Sequence, residues 1–142
     1  MKKICFFSGD ITRSGGTERV SVMIANELAK QEKYEICFLS LCEQKEAPFF
    51  PLDAGIKRYK LGERWIQPGP GYLPLIPKIR RFFKEQAIDV VLDIDIVLDI
   101  LSLPAAWRLK TKVLSWEHSN CFFEQSVLYR RAILKFSVTH LY

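Results

Sequence analysis

The chain has 142 residues, enough for one globular domain that buries roughly two thirds of the surface its unfolded form exposes. Its residues are 49% hydrophobic and 26% charged, with a net charge of +5, a composition that excludes a disordered or collagen-like protein. No apolar stretch reaches the roughly 18 residues of a membrane-spanning helix, and the apolar run at 4–7 is shorter than the core of about 7–15 residues in a signal peptide.

The first half of the chain contains the pattern of a βαβ unit. A buried strand, a loop of small residues, an amphipathic helix and a second buried strand are predicted in turn over 3–7, 9–16, 17–31 and 34–41. One apolar face of the helix carries Val20, Met23, Ile24 and Leu28. The two strands should be parallel and joined by a right-handed crossover.

Strands and helices continue to alternate in the second half. Strands are predicted at 56–61, 88–94 and 112–116, helices at 77–86, 96–107 and 123–136, and an exposed Pro- and Gly-rich loop at 65–71. This alternation predicts an α/β fold with a doubly wound, mostly parallel sheet and helices on both faces.

Positive charge is concentrated in residues 57–84, which hold eight lysines and arginines and one acidic residue, Glu63. On the helix at 77–86, four basic residues lie away from the apolar face: Lys78, Arg80, Arg81 and Lys84. Such a surplus favours an anionic partner such as phosphate, nucleic acid or an anionic lipid surface. A basic face that is merely solvated is the alternative.

The four cysteines are far apart and show neither metal-binding spacing nor a C-x-x-C pair. Three of them lie in apolar, strand-like runs: Cys5, Cys37 and Cys42. We therefore predict buried free thiols, as expected of a cytoplasmic protein.

The first candidate site is the segment 14–19, with the sequence Ser-Gly-Gly-Thr-Glu-Arg, between the first strand and its helix. Glycines at 15 and 16 let the backbone approach a ligand closely, and the free N–H groups of the helix start favour an anion. Neither the dinucleotide fingerprint nor the P-loop pattern is present. A glycine turn that serves packing alone is the other interpretation.

The second candidate site is the polar run 115–120, at the carboxyl end of the last predicted strand. In an open α/β sheet, ligands bind beyond the carboxyl ends of the strands. His118 in this run could contact a substrate hydroxyl or titrate near neutral pH.

Asp93 and Asp95 have the D-x-D spacing of metal–diphosphate sites in some sugar transferases. The pattern is short, and the neighbouring aspartates form no ligand set that sequence can validate. Strand ends and helix caps explain these residues equally well, so we predict no metal site.

Together the two candidate sites resemble the N-terminal domain of GT-B glycosyltransferases of family 4. The first strand followed by 14–20 is similar to the family's Gly-Gly-x-Glu-Arg signature, and Trp116 to Ser119 is similar to its Glu-His element. The resemblance implies an open, mostly parallel Rossmann-like sheet. It also implies that residues 1–142 are a single acceptor-side domain, incomplete at its C-terminal end, without the donor-binding domain and therefore inactive alone.

The activity implied by the resemblance is retaining transfer of a sugar from a nucleotide-sugar donor to a saccharide or lipid-linked acceptor, as in cell-envelope polysaccharide synthesis. No cofactor and no obligatory metal are expected. By the same resemblance His118 is catalytic, and donor or acceptor contacts come from Gly15, Gly16, Thr17, Glu18, Glu117 and Ser119. The basic residues on the helix at 77–86 would contact the inner face of an anionic membrane.

Two other functions are compatible with parts of the sequence. A non-catalytic α/β binding module could use the basic face for nucleic acid or another polyanion, although no nucleic-acid motif is present and no nucleic-acid partner is expected. A nicotinamide-linked oxidoreductase domain is disfavoured by the missing glycine fingerprint.

Overall fold

The computed structural model describes residues 1–116. The predicted helix at 123–136, Cys121 and the predicted site residues Glu117, His118 and Ser119 lie outside the described residues. Within the described part of the chain, no helix is long and apolar enough to cross a membrane.

Among residues 1–116, five parallel strands form one sheet in the order β3-β2-β1-β4-β5. The strands are β1 (Lys2–Ser8), β2 (Tyr34–Cys42), β3 (Lys57–Gly62), β4 (Val90–Asp93) and β5 (Lys112–Ser115). The α-helices are α1 (Gly16–Ala29), α2 (Leu75–Glu85) and α3 (Asp99–Ala106), and short 3₁₀ turns lie at Pro70–Tyr72 and Ile96–Leu98. The predicted Rossmann-like α/β fold is confirmed.

Alternate residues of the strands pack on the two faces of the sheet, as the pleat requires. One face lies under α1, where Phe6 and Phe38 stack at a ring-centroid distance of 5.1 Å. The opposite face lies under α2 and α3, and Ile79 and Phe83 of α2 are fully buried there. The sheet is therefore doubly wound, with a hydrophobic core on each side.

Helix α1 packs through a different face from the apolar one that its sequence suggests. Its buried residues are Glu18, Ser21, Val22 and Ala25. Val20 and Ile24 are exposed, and Met23 is 57% exposed. The small side chains at 21 and 25 face the sheet, and Val20, Met23 and Ile24 point outward, whereas Leu28 of the predicted face packs against the core.

The second helix begins two residues before Pro77, at Leu75. Proline is tolerated there because the first N–H groups of a helix have no partner within the helix. Cys5, Cys37 and Cys42 are buried free thiols, which confirms the prediction for these three cysteines.

Candidate functional site

The strand order reverses direction between β1 and β4, which pair side by side although they are not consecutive in the chain. The connection after β1 leads to the β2 side of the sheet, and the connection after β4 leads to the β5 side. Such a switch point opens a crevice at the carboxyl edge of the sheet. Both candidate sites follow strands that end at this edge.

A buried aspartate holds the loop that follows β1. The Oδ1 atom of Asp10 accepts hydrogen bonds from the backbone N–H of Thr12 (2.8 Å) and from its hydroxyl (2.5 Å). Its Oδ2 atom accepts the N–H of Gln44 at 3.3 Å. The sequence predicts Asp10 as part of the turn after β1 but not its place in the site; aspartate side chains commonly accept the backbone N–H two residues on.

Gly15 and Gly16 differ in their surroundings at the start of α1. A Cβ atom on Gly15 would lie 2.1 Å from Oε2 of Glu18, because that buried carboxylate folds back over the first turn. Thr17 donates its hydroxyl hydrogen to the same oxygen at 3.1 Å. A Cβ atom on Gly16 would meet no atom within 4 Å, so its backbone borders open space in the described structure. The exposed part of this helix start is therefore Gly16.

Trp65 also lies at this edge, where the sequence predicts only an exposed loop. Its ring carbons come within 3.1 Å of the position a Cβ atom would take on Gly9, the first residue after β1. The indole is 42% exposed. Gly9 thus makes room for an aromatic ring whose other part faces solvent.

The end of β5 is tied to its neighbours by two contacts. The backbone N–H of Trp116 donates to the carbonyl oxygen of Asp93 at 2.8 Å. The hydroxyl of Ser115 donates to Oδ2 of Asp99 at 2.5 Å. The chain therefore leaves β5 at a fixed point on the carboxyl edge, immediately before the predicted residues 117–119.

Asp93 and Asp95 serve different structural purposes. Asp93 is fully buried, and its Oδ2 atom accepts a hydrogen bond from Ser102. Asp95 is exposed and caps the 3₁₀ turn by accepting the N–H of Val97 at 3.1 Å. No group of three or more potential metal ligands occurs among residues 1–116. The described residues therefore offer no metal-binding cluster around this D-x-D pattern.

Asp93 and Asp99 form a pair of buried carboxyl groups behind the end of β5. Burial, followed by hydrogen bonding to Asp99, raises the pKa of Asp93 well above its usual range, while the bond from Ser102 opposes this shift. Cys5 on β1 also interacts electrostatically with Asp93. The carboxyl group of Asp93 consequently retains a proton that an exposed aspartate would release.

The four basic residues predicted on the second helix are not equivalent. Lys78, Arg81 and Lys84 are exposed. Arg80 is partly buried and donates from Nη1 to the carbonyl oxygens of Ala105 (3.0 Å) and Trp107 (2.6 Å) at the end of α3. Its guanidinium therefore joins α2 to the end of α3.

Comparison with known proteins shows similarity to glycosyltransferases, although no family model matches the chain. A glycosyltransferase of Haemophilus influenzae, described as uncharacterized, is 36% identical over 130 residues, which cover 92% of this chain and 36% of that protein. The chain thus spans about a third of this relative's length.

Two solved structures share the fold. A glycosyltransferase from Rickettsia africae ESF-5 superposes with a TM-score of 0.65 at 16% identity, over 94% of this chain and 35% of that one. The lipopolysaccharide outer core galactosyltransferase WaaB, in its apo form, superposes with a TM-score of 0.57 at 18% identity, over 82% and 33% of the two chains. With the sequence similarity, these matches support a glycosyltransferase domain.

Proposed function

We propose that this chain is the N-terminal, acceptor-side domain of a retaining GT-B glycosyltransferase of family 4. The enzyme would move a sugar from a nucleotide-sugar donor to a saccharide or lipid-linked acceptor in cell-envelope polysaccharide synthesis. A second, donor-binding domain would complete the cleft, consistent with a relative about two and a half times as long. The observation that carries this proposal is 36% identity to a glycosyltransferase along nearly the whole chain.

The backbone N–H groups at the start of α1 would stabilise the transition state of this reaction. As the glycosidic bond to the donor breaks, negative charge grows on the departing diphosphate. Backbone N–H groups fixed at a helix start stabilise such charge without having to reorganise. The open space beside Gly16 supports access of a phosphate or an acceptor hydroxyl to these groups. Glu18, folded over Gly15, would hold the turn in shape rather than touch the donor.

His118 would contact the donor sugar at the reaction centre, with Glu117 and Ser119 beside it. The positions of the strands in the sheet support this proposal for His118. The chain leaves β1 and β5 at the same edge of the sheet with only β4 between them, so the two exits are about 10 Å apart. A nucleotide-sugar can span that distance. No cofactor or obligatory metal is part of the proposed reaction.

The test is a transfer assay on the full-length enzyme, with a panel of nucleotide-sugars and cell-envelope saccharide acceptors, in buffer containing EDTA. We expect His118→Gln to lower kcat about 100-fold, the size of losing one donor to a developing charge. His140→Gln is the matched control and should retain activity. Undiminished transfer by His118→Gln would refute the role proposed for this histidine. If the unaltered enzyme transferred sugar from none of the donors, the proposed function itself would be refuted.

We propose further that the enzyme acts in the cytoplasm and touches the inner face of an anionic membrane, where a lipid-linked acceptor would lie. Lys78, Arg81 and Lys84 support this, because they recur every three residues along α2 and are all exposed. Such a basic stripe on an amphipathic helix suits an anionic lipid surface.

Co-sedimentation with vesicles tests the membrane contact. We expect binding to vesicles of phosphatidylglycerol and phosphatidylcholine that falls sharply when Lys78, Arg81 and Lys84 are all changed to Gln. A control variant with the exposed Lys2, Lys33 and Lys110 changed to Gln has the same net charge and should still bind. Equal loss in both variants would mean that only total charge matters. Salt-dependent binding of nucleic acid by the stripe would instead favour the binding-module alternative.

A further inference from the structure

An exposed tryptophan lies at the carboxyl edge of the sheet, beside the end of β1. We propose that the indole ring of Trp65 is a stacking surface for a pyranose ring of the acceptor, so that this residue favours a saccharide acceptor and orients it toward the start of α1. This inference rests on the proposed function, because it assigns one of the two substrates to the same edge of the sheet.

The position of the indole is fixed by close contact with the backbone that follows β1. A Cβ atom on Gly9 would lie 3.1 and 3.3 Å from two carbons of the six-membered ring of Trp65. Gly9 is itself held in place, because its carbonyl oxygen accepts the N–H of Cys42, the last residue of β2, at 3.1 Å. The benzene part of the indole therefore lies against the carboxyl ends of β1 and β2.

Anchoring of the loop does not account for Trp65. The next residue, Ile66, already anchors this segment, because it packs against the core under α2 and α3 and closely approaches Gly71. The indole of Trp65 remains 42% exposed. Exposed aromatic surface at the edge where an open α/β sheet binds its ligands favours a binding role over a packing role.

Trp65 and the start of α1 approach the end of β1 from opposite faces of the sheet. The loop with Trp65 comes from the face that α2 and α3 cover, since Ile66 packs there, whereas α1 covers the other face. Gly9 begins the segment that joins β1 to α1. A sugar ring stacked on the indole would therefore lie in the same crevice as the open backbone of Gly16, where we propose that charge develops.

The chemistry of this corner suits a pyranose ring. One face of such a ring carries C–H hydrogens with a small positive charge, which pack well on the negative face of an indole. Its hydroxyl groups need hydrogen-bonding partners around the rim, and the exposed guanidinium of Arg13 is a source of donors. Burial raises the pKa of the Cys42 thiol and the charge of Arg13 opposes this rise, so Arg13 lies near the same strand end.

The direct test is ¹H–¹⁵N NMR of the 142-residue chain, in which each tryptophan gives its own indole N–H signal. Methyl β-glucopyranoside, methyl β-galactopyranoside or lactose should shift the indole signal of Trp65 and the amide signal of Gly9. Trp107, which is 54% exposed and follows α3 at the amino edge, is the matched control and should not respond. Sorbitol, which has hydroxyl groups but no ring, should shift neither signal.

Three results of this titration would overturn the proposal. The first is no shift of the Trp65 signal with any of the pyranosides. The second is an equal shift at Trp107 or with sorbitol, which would show that the contact is unspecific. The third is a shift with uridine alone, which would assign the indole to the base of the donor.

Kinetics of the full-length enzyme separate stacking from chemistry. In the transfer assay, Trp65→Ala should raise the acceptor KM about 10-fold and leave kcat and the donor KM nearly unchanged, because a lost stacking contact weakens binding alone. Trp65→Phe keeps a smaller ring and should recover part of the affinity, and Trp107→Ala should match the unaltered enzyme. An unchanged acceptor KM in Trp65→Ala would refute the stacking role while leaving glycosyl transfer intact. Pyranoside binding at Trp65 without transfer from any donor would refute the proposed function and leave the stacking surface intact.

Gly9→Ala is a second variant, which keeps the indole and displaces it. The added methyl group would lie 3.1 Å from the ring, closer than ordinary van der Waals contact, so the ring must move. We expect a displaced indole signal of Trp65 in the free chain and a raised acceptor KM. A displaced signal with an unchanged KM would contradict the proposal.

Discussion

Gly15→Ala tests the geometry of the candidate anion site against its neighbour, Gly16→Ala. A methyl group at 15 would lie 2.1 Å from Oε2 of Glu18, far inside van der Waals contact, whereas a methyl group at 16 would meet nothing within 4 Å. The carboxylate of Glu18 must therefore leave the first turn of α1 in the first variant only. It would lose its bond from Thr17 and its favourable position at the positive end of the helix.

The expected difference in stability follows from these two losses. A hydrogen bond contributes about 0.5–1.5 kcal/mol, and a carboxylate in the first turn of a helix about 0.3–1 kcal/mol. The entropy that either alanine removes from the unfolded chain cancels in the comparison, whereas helix propensity acts in the same direction as the two losses, because Gly15 is the N-cap residue of α1 and Gly16 lies within the helix. Gly15→Ala should therefore be less stable than Gly16→Ala by about 1–2.5 kcal/mol in urea unfolding followed by circular dichroism. Equal stability of the two variants would show that Glu18 does not occupy this position.

Three further predictions concern the core and the contact between helices. Because its pKa is raised, Asp93 binds its proton more tightly in the folded chain than in the unfolded chain, which stabilises the fold at low pH. This stabilisation is lost as the pH rises from about 4 to the raised pKa. The free energy of unfolding of Asp93→Asn relative to the unaltered chain should therefore rise with pH by up to about 1.4 kcal/mol per unit, and a flat difference would contradict the raised pKa of Asp93. Arg80→Gln should destabilise the chain by about 1–3 kcal/mol in urea unfolding, because it removes charged bonds to two carbonyls, whereas Arg81→Gln should stay within about 0.5 kcal/mol. Burial and the neighbouring Cys37 raise the pKa of Cys5, so mass spectrometry should find it unlabelled by iodoacetamide until the chain unfolds; rapid labelling of the native chain would contradict its burial.

The sequence predicts the order of strands and helices well because each buried strand is a short apolar run between polar turns. It does not predict which side of α1 faces the sheet. Hydrophobic periodicity predicts that the side of α1 with the largest apolar residues, including Met23, faces the sheet. In the structure, the side with Ser21 and Ala25 faces the sheet instead. The stacked rings of Phe6 and Phe38 already fill this face of the sheet, so small residues above them suffice. Such complementarity depends on contacts between distant residues.

For the polar residues of the site too, the sequence predicts the position along the fold but not the contacts. Gly15 and Gly16 look equivalent in sequence, and they differ in the structure because the side chain of Glu18 lies over Gly15 alone. Arg80 resembles the other basic residues of α2, yet its partners are carbonyls 25 and 27 residues away. Asp93 was visible as a polar residue in an apolar strand, but its partner Asp99 is placed by the turn after β4. Spacing along the chain identifies the edge of the sheet that carries the site, whereas the partners of each side chain require the fold.

The proposed function requires that the carboxyl edge of this sheet bind the sugar donor and acceptor. Hydrogen–deuterium exchange of the full-length enzyme, with and without UDP and an acceptor saccharide, tests it directly. We expect slower exchange in peptides covering 9–19, together with unchanged exchange in peptides covering 30–35 and 86–89 at the amino edge. Slowing confined to the amino edge, or none within residues 1–116, would contradict it.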